Sequence, residues 1–94
     1  MTDARLLVLV SLSHGPRHGY AIQTDIETYA GIHLRPGTLY GALASLERDD
    51  LIERMPTDDR RQPYRLTALG RQQLRQQLET IDRIRQRITS PRLA

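Results

Sequence analysis

Ninety-four residues without a cysteine allow one small domain that neither a disulfide framework nor a thiolate metal site can reinforce, leaving oligomerisation as the way to bury more area. Hydrophobic residues at 38% and charged residues at 27% suit a folded globular chain rather than a disordered one, and the longest apolar run, Leu6 to Val10, is far too short to cross a bilayer and lacks a signal peptide's flanks, so a cytoplasmic protein with no membrane partner is expected. The net charge of +3 invites nucleic acid, but residues 1–70 hold eight arginines against nine acids and residues 71–94 six against two, so charge alone carries little weight. Every basic residue apart from the three histidines is arginine, the better bidentate partner for phosphate and guanine.

Residues 4 to 13 read as a short helix, apolar nearly all round, which calls for partners on several sides. Asp3 or Thr2 can cap it, and His14-Gly15-Pro16 stops it. A second helix is expected from Gly19 to Tyr29, with Tyr20, Ile22 and Ile26 roughly on one face and Gln23, Asp25 and Glu27 facing solvent, ended by Ala30-Gly31. After the short turn Ile32 to Arg35, Pro36 sits at a first helical position, where its missing amide proton costs nothing. The third helix runs to about Asp49, and Leu39, Leu43 and Leu46 at i, i+4 and i+7 fix its core face, with Tyr40 beside them.

Leu51 to Met55 and Tyr64 to Leu66 read as two strands joined by the polar, turn-rich segment Pro56 to Pro63, a β-hairpin. Thr67 then caps a long last helix reaching about Thr89, before Pro91 ends the regular structure. Its apolar residues Leu74, Leu78, Ile81, Ile84 and Ile88 step by an average that matches a coiled-coil seam, with Arg75, Glu79 and Arg83 around the exposed face. The fold class expected is mainly α with a small β-hairpin: a winged helix-turn-helix core over residues 1–67, followed by a dimerisation helix and tail over residues 68–94, all in one domain.

The residues Leu6 to Leu12, Gly15-Pro16, His18-Gly19-Tyr20-Ala21-Ile22, Pro36-Gly37-Thr38-Leu39-Tyr40, Leu43-x-x-Leu46-Glu47, Leu51-Ile52 and Tyr64-Arg65-Leu66-Thr67-x-x-Gly70 together resemble the PadR family of transcriptional regulators. The resemblance covers roughly residues 5 to 75 in order, and the Gly-Tyr-x-Ile and Pro-Gly-Thr-Leu-Tyr pieces together make it specific. It implies a dimeric, usually repressing, operator-binding protein whose last helix makes the dimer. Three positions depart from the family pattern. Asp50 replaces a usual Gly, and Asp tolerates positive φ better than most residues. The wing carries Asp58-Asp59 where Gly is common, placing two acids near phosphate. Arg35 replaces a small residue before Pro36, exchanging an N-cap hydroxyl for a guanidinium.

The outward face of the third helix, Gly37, Thr38, Gly41, Ala42 and Ser45, lacks the long forks that read base edges until Arg48. Thr38 and Tyr40 are therefore expected to position the protein, with Arg35, Arg60 and Arg61 supplying most of the base or minor-groove readout. The DNA-binding set is Tyr20, Arg35, Gly37, Thr38, Tyr40, Ser45, Arg60 and Arg61, and the partner is a double-stranded DNA operator. The homodimer set is Leu6, Leu9, Val10, Leu74, Leu78, Ile81, Ile84 and Ile88, with residues 4 to 13 of one protomer against the last helix of its partner.

Plainer roles stand beside these. Tyr40 suits a core aromatic as well as a phosphate contact, Arg60 and Arg61 an ordinary solvated loop, and the Leu74–Ile88 stripe a helix folded back on its own domain. His14, His18 and His33 occupy loop positions without cysteine or a matched carboxylate, so neither metal nor cofactor is expected. Adjacent turn acids such as Asp49-Asp50 make no acid–base pair, and no enzyme is expected. Family members that respond to a small-molecule inducer often hold it against aromatic rings in the dimer interior. Here the last helix is aliphatic, so an inducer, if there is one, has little to stack on. The Asp59–Gly70 stretch also resembles the wing of the MarR family, which needs more helix ahead of its first DNA-binding element. A protein-docking winged helix without DNA is the alternative from another class.

Overall fold

The structure, a computed structural model, describes residues 3–89; the possible cap at Thr2 and the stop at Pro91 lie outside the described residues. Its order is α1 (Ala4–Leu12), β1 (Arg17–His18), α2 (Gly19–Ala30), α3 (Pro36–Arg48), β2 (Ile52–Arg54), β3 (Pro63–Leu66) and α4 (Ala68–Thr89). Each boundary has a local cause. The Asp3 carboxylate accepts from the Arg5 amide at 2.9 Å and caps α1. Gly31, at φ +68°, ends α2 in the left-handed region. Pro36 opens α3 at a position needing no amide proton.

Asp50 closes α3 at φ +62°, and the Leu51 amide reaches back to the Leu46 carbonyl at 2.9 Å. That is the left-handed closure expected where the family pattern has glycine. Thr67 caps α4, its hydroxyl accepting from the Gly70 amide at 2.9 Å. The same hydroxyl donates to the Asp50 carbonyl at 2.6 Å, tying the end of α3 to the start of α4.

The hairpin pairs Ile52 with Leu66 and Arg54 with Tyr64; its first strand is one residue shorter at each end than expected and its second begins one residue earlier, at Pro63. It is joined by a third strand that periodicity did not reveal. β1 pairs antiparallel with β3, Arg17 opposite Tyr64 and His18 opposite Pro63, giving the order β1-β3-β2. Two residues are too few for an alternating pattern, so only tertiary pairing defines this strand.

Leu9, Val8 and Leu12 of α1, Ile22 and Ile26 of α2, Leu39 and Leu46 of α3, and Ile52 are all essentially inaccessible. Together they form one core that the sheet and the start of α4 close. The all-round apolar character of α1 is thus answered inside the chain. Leu9 is 0% exposed and Leu74 7%, which corrects their assignment to the dimer interface: both are already covered by their own protomer. Leu6 and Val10 remain half-buried at the core's margin.

α2 also differs from its expected faces. Tyr20 stands out from the core at 72% exposure. Asp25 turns inward, where its carboxylate accepts from the fully buried Ser11 hydroxyl at 2.8 Å and faces the Arg17 guanidinium at 3.9 Å. A buried hydroxyl needs an acceptor, and this one recruits a residue whose type suggested solvent. The Tyr29 hydroxyl donates to the Leu7 carbonyl at 2.6 Å, locking α2 onto α1. Desolvation, reinforced by the Asp25 charge, pushes its pKa up to about 12.

Beyond Leu74, α4 leaves the core. Its 22 residues span about 33 Å and stretch the molecule to 59 × 27 × 20 Å. Leu78, Ile81, Ile84 and Ile88 are exposed there, the last at 73%.

Candidate nucleic-acid interface

The core residues of α3 dictate what its other face presents. With Leu39, Ala42, Leu43 and Leu46 buried, positions 37, 41, 44 and 48 fall on the open side at helical spacing. Gly37, Thr38, Tyr40, Gly41, Ala44 and Arg48 are all exposed. Two expected members leave this face. Ala42 is buried at 7%. Ser45 is half-buried, and its hydroxyl accepts from the Arg5 guanidinium, which also pairs with Asp49 at 3.0 Å. Ser45 thus stands at the edge of the open face, its hydroxyl accepting from α1 rather than pointing freely outward. Ala44 and Arg48 stand in the open stripe instead.

The glycines separate into two kinds. Gly15 and Gly31 have positive φ. A Cβ at Gly19 would lie 2.7 Å from the Tyr40 hydroxyl, and one at Gly70 would collide with the Leu51 carbonyl. Each of those four has a reason within the chain. Gly37 and Gly41 have helical backbone, and nothing lies within 4 Å of a Cβ at either.

Tyr40 is 54% exposed, with its hydroxyl against Gly19. Its ring therefore sits at the seam between α3 and the start of α2 rather than in the core. There it joins His18, Tyr20, Arg60 and Arg61 around a cleft of about 330 Å³, lined also by Gly19 and Gln62. Tyr20, Arg60, Arg61 and Tyr40 are thus brought together from α2, the wing and α3. Arg35 lies apart from them at the N-cap of α3, exposed and making no side-chain cap. The residue missed in the sequence was His18. Its ring caps α2, Nδ1 accepting from the Ala21 amide at 3.3 Å, and N-capping by imidazole has no simple pattern.

Ion pairing also divides the arginines. Arg5, Arg17, Arg54 and Arg65 face Asp49, Asp25, Glu47 and Glu53 respectively. Among residues 3–70, Arg35, Arg48, Arg60 and Arg61 have no carboxylate partner; Arg35 stands at the N-terminal end of α3, Arg48 at its C-terminal end, and Arg60 and Arg61 on the wing. Near-neutral composition over residues 1–70 thus conceals a face whose free charge is positive. Asp58 and Asp59 sit at the exposed wing tip, where the Asp59 amide donates to the Thr57 hydroxyl and its carboxylate accepts from the Arg60 amide. No group of His, Asp or Glu suited to a metal occurs among the described residues, and no described helix is long and apolar enough to cross a membrane.

A family model, the transcriptional regulator PadR-like family, matches residues 8–76. Among solved structures, a transcriptional regulator from Clostridium thermocellum is similar at a TM-score of 0.82 and 26% identity, over 94% of this chain and 88% of that one. RosR of H. salinarum superposes at a TM-score of 0.75 with 31% identity, covering 86% of this chain and 74% of its own. A PadR family transcription regulator from hypervirulent Clostridium difficile shares the fold at a TM-score of 0.81 and 24% identity, covering 88% and 91%. A curated relative, an uncharacterized 37.1 kDa protein in transposon TN4556 of Streptomyces fradiae, is 43% identical over 86 residues. That match takes in 92% of this chain, which spans about a quarter of the relative's length.

Proposed function

The chain belongs to the PadR-like family of transcriptional regulators, not of enzymes, and from that premise we propose that it is a DNA-binding repressor acting as a homodimer on a roughly palindromic operator. The MarR-like alternative gives way to the family match.

One observation carries the DNA contact: Gly37, in the first turn of α3, and Gly41, in its interior, are unexplained by the chain, and Gly41 is costly to the helix. A glycine inside a helix costs about 1 kcal/mol relative to alanine. The other four glycines return that cost through turns or close packing, whereas these two face open space one helical turn apart. A second molecule approaching the α3 backbone supplies the reason. DNA suits it, because the adjoining free groups are Arg35, Arg48, Arg60 and Arg61 and because a helix N-terminus favours phosphate. Thr38 lies beside that end and Arg48 at the far end of the stripe. Base readout falls to Arg35, Arg48 and Arg60 of the wing, with the small central face allowing close fit to the groove.

The dimer follows from α4. Covering what remains exposed of Leu78, Ile81, Ile84 and Ile88 would contribute roughly 1–2 kcal/mol each, and the chain's own core stops at Leu74. A symmetric pairing along residues 75–89, joined at its root by Leu6 and Val10, covers them. It would set two copies of α3 toward successive major grooves, about 34 Å apart, where occupancy near a promoter blocks polymerase. Residues 1–67 then form the DNA-binding part and 68–94 the dimerisation helix and tail. An inducer, if one acts, would work by binding one dimer geometry better than another.

Mobility-shift titrations at two salt concentrations test this. DNA binding through phosphates gives a steep fall of affinity with salt. No shift at either concentration would favour a protein-docking module, and a solution mass of one chain would remove the dimer.

A further inference from the structure

The cleft between α2, α3 and the wing has a donor-rich chemistry. His18 Nδ1 accepts from the Ala21 amide. In a neutral imidazole that places the ring proton on Nε2. Nε2 lies 3.4 Å from Nη1 of Arg61, so the two nitrogens that meet there are both donors. The other tautomer would let Nε2 accept from Arg61 but would strip the Ala21 amide of its partner at the first turn of α2. Arg61 is exposed and can donate to water, whereas the Ala21 site is partly buried. The capped tautomer therefore wins. The hydroxyls of Tyr20 and Tyr40 and the Arg60 guanidinium complete the polar lining with Gln62, and no carboxylate lines the cleft.

We propose that His18 is a phosphate-binding residue: its Nε2–H and the Arg61 guanidinium converge on one acceptor, a backbone phosphodiester of the bound DNA. An oxygen reaching both would turn two opposed donors into a matched pair, using charge-assisted hydrogen bonds. The proposal rests on the DNA-binding function above and adds to it a particular anchor. His18 acts as a neutral donor there, and Arg61 as the charge.

Two substitutions separate the two ring nitrogens. His18→Asn keeps a side-chain acceptor at the N-cap, where asparagine is among the best residues, but reaches no further into the cleft. His18→Gln places an amide N–H near the position of Nε2 and caps poorly. The expected result for His18→Asn is an unchanged melting temperature and about tenfold weaker binding to any duplex, by the same factor at every salt concentration, because no charge is lost. Arg61→Gln should instead reduce the salt slope by about one. His18→Gln should melt earlier yet bind more tightly than His18→Asn. Duplexes neutralised at single positions by methylphosphonate should include one position that weakens the wild type and leaves His18→Asn unaffected, the coupling of a direct contact.

Wild-type affinity in His18→Asn would overturn the assignment. So would equal weakness of both variants with equal loss of stability, which would make His18 structural only. A shallower salt slope in His18→Asn would overturn the neutral-donor role. Inorganic phosphate that moves the His18 ring resonances as tightly as DNA does would assign the cleft to a free anion instead. If the wild type binds no duplex under any condition, the DNA-binding function itself fails, an outcome distinct from wild-type binding that His18 does not influence.

Discussion

α1 and the distal half of α4 carry similar aliphatic side chains and meet opposite fates. Leu7, Val8, Leu9 and Leu12 are buried by α2, α3 and the sheet, so that most of α1 is spent within the chain. Leu78, Ile81, Ile84 and Ile88 have the same chemistry and remain open. The same division runs along α3. Leu39, Leu43 and Leu46 are explained by the core, while Gly37 and Gly41 are explained by nothing in the chain. Residues whose cost or exposure has no internal return are where a partner is to be sought, and composition alone does not find them.

The contrast can be broken most forcefully at Leu9. Leu9→Ala should remove about 2–5 kcal/mol of stability, enough to unfold much of a small domain, with helical circular dichroism and oligomer lost together. Were Leu9 an interface residue, dilution rather than folding would register the change. Ile81→Asp should do the reverse, weakening dimerisation by roughly 2–3 kcal/mol. Sedimentation would then show one chain of retained helix content at concentrations where the wild type is paired.

Gly41→Ala sharpens the α3 half of the comparison. The fold should gain about 1 kcal/mol, seen as a raised melting temperature, while DNA affinity falls about tenfold because a methyl group now stands where the groove wall comes near. A stabilised variant with undiminished binding would leave the glycine without a purpose.

The smallest effect concerns the lock between α1 and α2. The Tyr29 pKa is raised from 10 to about 12 by burial and by Asp25, so the folded state holds that proton more tightly than the unfolded chain. Stability from it is complete below about pH 10 and is lost as pH rises through about 12. Thermal melts between pH 9 and 12 should decline, and Tyr29→Phe should decline less steeply. Tyr64, whose pKa burial also raises, gives the remaining slope in the same direction.

Much of the frame was legible in the chain. Leucines at i, i+4 and i+7 gave α3 its buried face, Pro36 gave its start, and Asp50 held the left-handed turn that the family pattern fills with glycine. The family itself was legible in the His-Gly-Tyr and Pro-Gly-Thr-Leu-Tyr segments. The candidate site was legible by residue type but not by surroundings. Tyr20, Tyr40, Arg60 and Arg61 meet at one cleft, while Ser45 is diverted to Arg5 and His18 emerges as a cap. Neither exchange has a periodic signal, since each depends on a residue from another element.

Sequence by itself thus determined the local grammar: where helices begin and end, which side of α3 is apolar, and which family the chain joins. Those follow from short-range sterics, unpaired backbone groups and helical spacing, all of which are set within a few residues. Only the tertiary structure decided which apolar faces found cover at home, which arginines kept their charge free, and which glycines had nothing beside them. These depend on distances between segments far apart in the chain, and a one-dimensional pattern holds no record of such distances.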